Sequence, residues 1–474
     1  MDPVSELLLR FFEFNSPRTK HVDFNGIIGG ALSFEARELL GVTTSQRSTL
    51  MDALDNSGQT VDPRNISAAV ENYLPSVYKL THSMEQSAGA HIKLNKPLEF
   101  SWTSVLLKKS KQNVENKCQV LVYEVCFVLT VQALAHYNAA KNLVCTENPS
   151  RMSNLVAAAK EVRKGAGILE YVSQVLIPRW TNPPKNRAPE VVGEVVLALC
   201  GLFCCMGQRL TVVQGLQRGL PPSAIAKLLF GLSERYSQIN QQLRSLDKSL
   251  YDSLLDSLLD EPAILSVACY ALGAQMMGEK AKADGEPGKA VGYLLLASNK
   301  LAGILYNPST EELLKEYVVN AQHAVDEKFH QYKADNESIY FEGVPTADAL
   351  DIPKGSFMCN PLDYSLPEVS AVSFASTDGG IESAEAMNAP DGTQGDSGKS
   401  SGGSMRGALS WFGFGGGKKD NNKEEDTSEA AGSDDFVPPG YDRDVFTNLP
   451  PDIKKEVLAA YRAENKSPGG ATSL

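Results

Sequence analysis

Residues 158–171 read AAKEVRKGAGILEY, and this alanine-rich stretch decides the fold class of the chain. It lies within a pattern that predicts one helix from Ser150 to Ile177, because alanine and long unbranched side chains favour the helical backbone. Ser150 is predicted as the N-cap, since a serine hydroxyl accepts hydrogen bonds from the first free amides of a helix. Pro178 and the pair Pro183-Pro184 are predicted to end it.

Helical patterns continue on both sides of this stretch. In residues 114–144 apolar side chains recur every three or four positions, which is the spacing of one buried helix face. Residues 190–216 form a second run. The turn at residues 219–222 then places Pro221 or Pro222 at the first position of the next helix, 223–243, where proline needs no amide donor.

Two further helices, residues 264–282 and 289–305, are rich in Ala, Gly and Leu. Small residues let antiparallel helices approach closely, so these two are predicted to form an αα-hairpin that begins at Pro262. The chain is therefore predicted to be mainly all-α from about residue 64 to 335. We interpret this region as a helical solenoid with imperfect repeats.

Short extended segments flank the helices. Residues 20–24 suit a short strand, and a second strand is expected at residues 100–102, so we predict a small N-terminal β-sheet. After residue 344 the helical pattern stops. Four prolines mark an extended segment that is predicted to run back along the helical body: Pro345, Pro353, Pro361 and Pro367.

Charge and cysteine content exclude several functions. The 474-residue chain has a net charge of −12, which argues against broad nucleic-acid binding, because that function needs a basic surface. Its eight cysteines form no CxxC pair, as is typical of a reducing compartment. Cys200 and Cys204 share a helix face, and core packing is favoured there over a metal site because no histidine or second cysteine pair is nearby.

We expect a cytoplasmic protein without a membrane anchor. Residues 1–3 do not begin a basic region, so no signal peptide is expected. The apolar run 195–207 is too short to span a bilayer and predicts a buried helix. The last four residues, 471–474, include no cysteine for prenylation, so no lipid anchor is expected by that route.

Residues 376–438 are predicted to be a disordered linker. They consist mainly of Gly, Ser and acidic residues, and such a segment buries too little apolar surface to offset its ordering entropy. Within it, the aromatic segment Trp411–Phe414 precedes Lys418-Lys419, a pattern that predicts peripheral contact with an anionic membrane. A short linear peptide motif and an accidental apolar patch are the alternatives.

Residues 445–458 read VFTNLPPDIKKEVL and predict two short helices around a turn. Pro450 disfavours helical backbone at Leu449, so the first helix stops there. Pro451 suits the first turn of the second helix. The apolar side chains of this second helix fall on one face, with Leu458 beside that face: Ile453, Val457 and Tyr461. Apolar side chains outside a folded domain predict a partner on another protein.

Residues 20–370 resemble the BRO domain, the fold of the Alix and BROX-type proteins. Four segments carry the resemblance in order: residues 100–103, 158–171, 225–228 and 340–345. The resemblance implies a curved all-α solenoid with a tetratricopeptide-like centre and a small N-terminal β-sheet. It also implies that the domain binds other proteins and catalyses no reaction.

The resemblance further implies one partner for this domain. BRO domains receive the C-terminal amphipathic helix of a Snf-type ESCRT-III subunit in a shallow apolar groove. The positions that correspond to the groove are Thr211, Gln214, Ala224 and Leu228. Only Leu228 among them is large and apolar. A shifted groove that uses Val212 and Leu232 is one alternative, and plain core packing of Leu228 is another.

The C-terminal motif resembles the ubiquitin-binding motif of the translesion polymerases, which presses a Leu-Pro turn onto the apolar surface of ubiquitin. The implied ubiquitin contacts are Val445, Phe446, Leu449, Pro450, Ile453, Val457 and Leu458. Two alternatives stay open for this segment. It is either a helix that docks back on the solenoid or a chance amphipathic tail.

No catalytic residue, metal site or cofactor is predicted. Six histidines occur, and none pairs with a cysteine or carboxylate in a recognisable motif. His323 and His330 lie seven positions apart with Asp326 between them, and we interpret this spacing as a solvated helix face. The sequence therefore favours a non-enzymatic adaptor.

Three regions make up the predicted protein. A BRO-like domain spans residues 1–375, the linker spans residues 376–438, and the ubiquitin-binding motif spans residues 439–466. We expect the chain to connect ubiquitinated membrane cargo with ESCRT machinery at endosomes, as a peripherally associated protein. A ubiquitin-reading scaffold in a nuclear or repair pathway is the first alternative, and an enzyme with an unrecognised site is the second.

Overall fold

The computed structural model of the chain describes residues 2–30, 32–55, 62–87, 92–145, 147–374, 436–437, 446 and 451–464. The predicted linker lies outside the described residues except at 436–437, and so does the aromatic segment Trp411–Phe414. The chain divides into two compact units, residues 377–437 and a larger unit of residues 1–376 with 438–474. All of the helices and strands named below belong to the larger unit.

Helices dominate this unit, which confirms the predicted all-α class. From the third helix to the eighth, each helix packs on the one that follows it in sequence. The eighth then packs on the tenth, the tenth on the eleventh, and the eleventh on the twelfth. This is the neighbour-to-neighbour order of a solenoid. The helices are α1 (Pro3–Leu9), α2 (Phe24–Ile27), α3 (Phe34–Leu54), α4 (Pro63–Gln86), α5 (Leu121–Val144), α6 (Leu155–Tyr171), α7 (Gly193–Gln217), α8 (Pro222–Arg244), α9 (Lys248–Tyr251), α10 (Asp256–Ala283), α11 (Pro287–Ala302), α12 (Glu312–Asp335) and α13 (Pro451–Glu464).

Two small antiparallel sheets lie in the N-terminal part, where one small sheet was predicted. Strand β1 (Ile28–Gly29) pairs with β2 (Lys93–Leu94). Strand β3 (Phe100–Thr103) pairs with β4 (Glu115–Cys118), so that the aromatic residues predicted as a strand form part of a hairpin-like pair. An isolated bridge joins Thr19 to Trp102 on the other side of β3.

Two of the predicted N-terminal elements are wrong. Residues 20–24 form no strand, because pairing beside β3 stops at Thr19 and Phe24 begins helix α2, where its amide donates to Thr44 Oγ1 at 3.0 Å. The run 114–144 is also divided. Residues 115–118 pair with β3, and the helix begins only at Leu121. Local periodicity does not distinguish these short segments from a helix end.

The helix that contains residues 158–171 begins later than predicted. Ser150 does not cap it through its hydroxyl. Its backbone carbonyl instead accepts the amides of Ser153 and Asn154 in a turn, and α6 starts at Leu155. Beyond Tyr171 the helical path continues as a π-helical segment, Val172–Leu176, and a 3₁₀ turn, Ile177–Arg179.

Two prolines show which helix starts can be predicted from the local sequence. Pro222 occupies the first turn of α8, as predicted, after a turn in which Gly219 has a φ of 68°. Pro262 does not open a helix, because α10 already begins at Asp256. The amide of Leu255 is tied to the carbonyl of Leu106 at 2.8 Å, and this distant contact sets the start of α10.

Two long apolar helices, α7 and α10, are largely enclosed by the rest of the protein. By length and composition α7 and α10 could each cross a membrane, yet 83% and 67% of their apolar windows are buried inside the structure. Cys200, Cys204 and Cys205 of α7 are all buried free thiols, as the core interpretation predicted. Both helices are therefore long and apolar because they lie in the core of the solenoid.

A buried ion pair joins the N-terminal sheet to the helices. Arg47 Nε of α3 donates to Glu124 Oε1 of α5 at 2.8 Å, and both side chains are almost fully excluded from solvent. The same carboxylate accepts the hydroxyl of Tyr73 at 3.1 Å and the indole N–H of Trp102 at 2.7 Å. These hydrogen bonds compensate the cost of burying the charge, and they fix β3 against α3, α4 and α5.

Residues 351–374, which we call the strap, have an extended path and run back along the helices, as predicted. The amide of Ser356 donates to the carbonyl of Lys227 on α8 at 2.8 Å. The amide of Leu362 donates to the carbonyl of Arg163 on α6 at 3.1 Å. Near its end the strap meets α4, where the amide of Val372 donates to Ser83 Oγ at 2.9 Å.

Two helical glycines let the strap approach this closely. A Cβ atom at Gly167 of α6 would lie 1.8 Å from the carbonyl oxygen of Leu362. At Gly231 of α8 it would lie 2.2 Å from the carbonyl oxygen of Ser356. Gly167 is the glycine of the Ala-Gly-Ile segment in the 158–171 stretch. Because it has no side chain, it leaves room for the backbone of the strap.

Candidate functional site

Helix α13 has the amphipathic face that the sequence predicts. It begins at Pro451, and two side chains one turn apart, Ile453 and Val457, have exposed fractions of 0% and 1%. Leu458 and Tyr461 are half-buried beside them. A single 14-residue helix cannot enclose its own side chains to this extent, so another part of the chain covers this face.

The partner of this face is helix α8, at the centre of the solenoid. Glu456 lies between the two buried residues of α13 and points to α8. One of its carboxylate oxygens accepts the hydroxyl of Ser223 at 2.9 Å, and the other forms an ion pair with Nζ of Lys227. Ser223 and Lys227 are one turn apart on α8, so a single carboxylate bridges both.

The ion pair is partly shielded from water. The side chains of Lys227 and Glu456 retain 20% and 31% of their exposure. Charge attraction is stronger there than between fully exposed side chains, but solvent and salt still weaken it. The contact therefore combines two enclosed apolar side chains with one polar bridge of intermediate strength.

Lys227 holds two separate segments of the chain. Its carbonyl accepts the amide of Ser356 in the strap, while its side chain pairs with Glu456 of α13. Gly231, one turn further along α8, seats the strap. The strap and helix α13 thus meet α8 within two helical turns.

Three of the four positions assigned to an ESCRT-III groove are buried in the folded chain. Ala224 and Leu228 are fully buried, and the carbonyl of Leu228 accepts a hydrogen bond from Gln208 Nε2 of α7 at 2.9 Å. Gln214 is buried at 9% exposure, and Thr211 is half-buried with its hydroxyl bonded to the carbonyl of Gly207 at 3.0 Å. The positions of the shifted groove, Val212 and Leu232, are fully buried as well.

The expectation that the C-terminal apolar side chains lack a partner on their own chain is wrong. Ile453 and Val457 are covered, and Phe446 is also buried at 6% exposure. Of the alternatives considered from the sequence, docking back on the solenoid is the arrangement that the structure has. The remaining assigned ubiquitin contacts, Val445, Leu449 and Pro450, lie outside the described residues.

The sequence did contain a signal for this docking. Ser223 and Lys227 repeat at the same four-residue spacing as Ile453 and Val457, and Glu456 carries the charge opposite to that of Lys227. Such a pairing is visible only when both segments are compared, because 229 positions separate Lys227 from Glu456. Local periodicity gives no information about which helices meet.

A second polar cluster lies beneath the strap and was missed from the sequence. His136 Nδ1 of α5 lies 2.7 Å from Glu161 Oε2 of α6, and Lys164 pairs with the other oxygen of the carboxylate at 2.7 Å. The hydrogen bond with His136 lowers the pKa of Glu161 to about 2. A cleft of about 500 Å³ runs from this cluster to Tyr364 of the strap.

The described residues contain no group of three His, Cys, Asp or Glu side chains that could hold a metal ion. The His136 and Glu161 pair has a cationic neighbour and no nucleophilic side chain hydrogen-bonded to it. His323 and His330 are both exposed on α12, as the interpretation of a solvated helix face predicted.

Comparisons with known proteins agree with this fold. A family model described as the BRO1-like domain matches residues 64–379. A solved structure described as an ALIX BRO1 CHMP4C complex has a TM-score of 0.60 and 16% identity, and the match covers 76% of this chain and 98% of that one. A sequence comparison with curated proteins finds no match.

Two further solved structures have the same fold. ALIX in complex with the SIVmac239 PYKEVTEDL late domain matches with a TM-score of 0.60 and 16% identity, over 76% of this chain and 50% of that one. A structure described as the basis for endosomal targeting by the Bro1 domain matches with a TM-score of 0.53 and 16% identity, over 73% of this chain and 93% of that one.

Proposed function

The chain belongs to the family of proteins with a BRO1-like domain, and from this premise we propose that it is a non-enzymatic adaptor in ESCRT-linked endosomal sorting. The family match over residues 64–379 carries the proposal. The body binds the C-terminal helix of an ESCRT-III subunit, and the C-terminal motif binds ubiquitin or ubiquitinated membrane cargo. The linker between them lets both sites engage one assembly, which raises avidity without new contacts.

The body is proposed to bind an ESCRT-III helix beside α7 and α8. Support comes from the shared fold with a structure described as a complex of the ALIX BRO1 domain with CHMP4C. Of the four assigned groove positions, Thr211 is the one that keeps surface exposure. A helix that lies along α7 at this position would contact its side chain directly.

A titration of the full chain with a fluorescent peptide of the CHMP4C C-terminal helix tests this site. We expect saturable binding, with a dissociation constant on the order of 10 µM for such a small helix-in-groove contact. Thr211→Arg should weaken it about tenfold, because the long charged side chain blocks the helix. Thr49→Arg on α3 is the matched control, since Thr49 makes the same hydroxyl contact to the preceding turn. Absence of binding, or equal binding by Thr211→Arg, would contradict the site.

The C-terminal motif is proposed to bind ubiquitin through its Leu-Pro turn and the apolar face of α13. The residue pattern supports this, and so does the start of α13 at Pro451, where the motif requires its second helix to begin. An interface of one turn and one short helix is small. We therefore expect a dissociation constant of about 100 µM or weaker for the isolated contact.

Chemical shifts of ¹⁵N-labelled ubiquitin, followed while the unlabelled full chain is added, test this function. We expect shifts confined to one apolar surface of ubiquitin. The double variant Leu449→Ala, Pro450→Ala should abolish them, because it removes both side chains of the turn. The matched control, Leu409→Ala with Pro390→Ala, makes the same exchanges within the linker and should bind as the unmodified chain does. Identical shifts with both double variants would exclude the motif as the ubiquitin site.

A further inference from the structure

We infer that helix α13 is an internal ligand of the α8 surface formed by Ser223 and Lys227, and that this docking excludes ubiquitin binding by the same helix. The inference rests on the proposed ubiquitin function and adds its regulation. In the docked chain the tail is closed. When the tail is released, it exposes both its own apolar face and the covered side of α8.

The two states exclude each other because they use the same side chains. Ile453 and Val457 are fully covered in the docked chain, so neither can touch a second protein there. Phe446 is covered as well. All three belong to the assigned ubiquitin contacts. Ubiquitin can therefore reach this face only after α13 has left α8.

The docking contact has the character of a reversible one. Glu456 contributes to it an ion pair that solvent partly reaches and one hydroxyl contact. Such an isolated contact is weak, but the tail is tethered to its own surface. Because the tail and α8 belong to one chain, the effective concentration of the tail at this surface is about 1 mM, which is enough to hold a weak helix in place for most of the time.

Tethering also defines how docking affects ubiquitin affinity. If the released tail makes up about one tenth of the population, the apparent dissociation constant for ubiquitin is about ten times the intrinsic one. Any change that empties the docked state must then tighten ubiquitin binding by up to that factor. A substitution on α8 can do so without altering the tail itself.

Release of α13 also changes what the body presents. Ser223 and Lys227 hold Glu456 while α13 is docked, and both lose this partner when the helix leaves. A tail occupied by ubiquitin leaves that side of α8 uncovered. Capture of ubiquitin and access to this part of the body are coupled by the same helix.

The experiment compares full-length variants in which this ion pair is broken, restored with exchanged charges, or left intact. Lys227→Glu turns the attraction to Glu456 into repulsion. The carbonyl of residue 227, which holds the strap, is unchanged. Adding Glu456→Lys to this variant restores the pair with the charges exchanged. Lys248→Glu makes the same charge change at an exposed side chain of α9, which pairs with Asp252, and serves as control.

Two quantities are measured for each variant: hydrogen exchange of residues 451–464 without ubiquitin, and the dissociation constant for labelled ubiquitin. We expect Lys227→Glu to speed the exchange and to tighten ubiquitin binding by about three- to tenfold. The charge-exchanged double variant should move both values back toward those of the unmodified chain. Lys248→Glu should change neither.

The outcomes separate this inference from the proposed function. If ubiquitin binds all four chains with equal affinity, ubiquitin binding stands and mutual exclusion is overturned. If exchange in residues 451–464 is the same in the unmodified chain and in Lys227→Glu, docking through this pair is overturned. If ubiquitin binds none of the chains, the proposed ubiquitin function fails, and the regulation inferred from it fails with it.

Discussion

The strap and helix α13 both return to α8, and both use Lys227, but they use different parts of it. In the strap, the amide of Ser356 donates to the backbone carbonyl of Lys227. In helix α13, the carboxylate of Glu456 forms an ion pair with the side chain of Lys227. The strap also lies on glycines, so its backbone touches the helices directly, whereas α13 touches α8 through side chains.

This difference separates a permanent part of the fold from a movable one. The strap spans α8, α6 and α4 with successive hydrogen bonds, so it can leave only if the solenoid loses several contacts together. Helix α13 packs on α8 and follows the predicted linker in the chain. Local opening requires little free energy where few contacts must be broken at once.

The largest effect is expected at the glycines beneath the strap. Gly167→Ala and Gly231→Ala place a methyl group within 1.8 Å and 2.2 Å of strap carbonyl oxygens, so the strap or the helix must shift. We expect each to lower the free energy of unfolding by about 3 kcal/mol. Urea unfolding of the full chain, followed by circular dichroism, measures the change.

Gly41→Ala in α3 is the matched control. A Cβ atom there meets only Asn25 Nδ2, at an ordinary 3.6 Å. Because alanine favours helix over glycine, this variant should be unchanged or more stable by up to about 1 kcal/mol. If all three glycine variants behaved alike, the strap would not be seated on Gly167 and Gly231.

A smaller effect on stability is expected when the tail is disrupted. The double variant Ile453→Asp, Val457→Asp places two charges where the structure buries two apolar side chains, so α13 should leave α8. We expect the unfolding free energy of the body to change by less than about 0.5 kcal/mol, because helices α3 to α8 and α10 to α12 pack on one another and the strap is held by its own hydrogen bonds.

Limited proteolysis gives the second measurement on this double variant. Cleavage within residues 451–464 should become about tenfold faster, and cleavage within the strap should not change. Loss of body stability comparable to that of the glycine variants would show that the tail is as integral to the fold as the strap.

A change in ionic strength should affect helix α13 and not the strap, with a smaller effect than that of the substitutions. Raising ionic strength from about 0.05 M to 0.5 M screens the partly exposed pair of Lys227 and Glu456. We expect hydrogen exchange in residues 451–464 to become about two- to threefold faster, with no change in strap residues held by backbone hydrogen bonds. Equal acceleration in both segments, or none in the tail, would argue against an ion pair that helps to hold α13.

The smallest effect concerns the acid dependence of the body beneath the strap. The hydrogen bond with His136 lowers the pKa of Glu161 from 4.5 to about 2, so the folded protein binds fewer protons than the unfolded chain between these pH values. This contribution to stability is present above pH 4.5 and is lost as the pH falls toward 2.

The variant Glu161→Gln tests that assignment. It should show a shallower decline of unfolding free energy between pH 4.5 and 2 than the unmodified chain does, since it lacks the titrating group. The carboxylate is partly exposed, so the difference should be slight. Parallel pH curves for the two proteins would mean that the pairing with His136 does not stabilise the fold.

The fold was predictable from the sequence where local rules decide it. The helical class, the start of α8 at Pro222, the start of α13 at Pro451 and the returning strap all follow from periodicity and proline placement. Distant contacts decided the rest. The pairing of β4 with β3, and the extension of α10 back to Asp256, depend on residues far along the chain.

The site was predictable only in part, for the same reason. The pattern of Ile453 and Val457 identified the apolar face of α13, yet it could not reveal that α8 covers this face. The assignment of Leu228 to a groove likewise named a residue that is fully buried. The apolar face of a helix can be predicted from its own segment. The helix that covers this face can be found only by comparing two segments of the chain.

Methyl NMR of the full chain tests the central claim most directly, with isoleucine and valine methyl groups labelled. Without ubiquitin, we predict contacts between the methyl groups of Ile453 and Val457 and protons of α8 near Ser223 and Lys227. Adding unlabelled ubiquitin should remove these contacts and shift both methyl signals together. Contacts to α8 that persist in the ubiquitin-bound chain would contradict the account, since docking and ubiquitin binding would then occur at the same time.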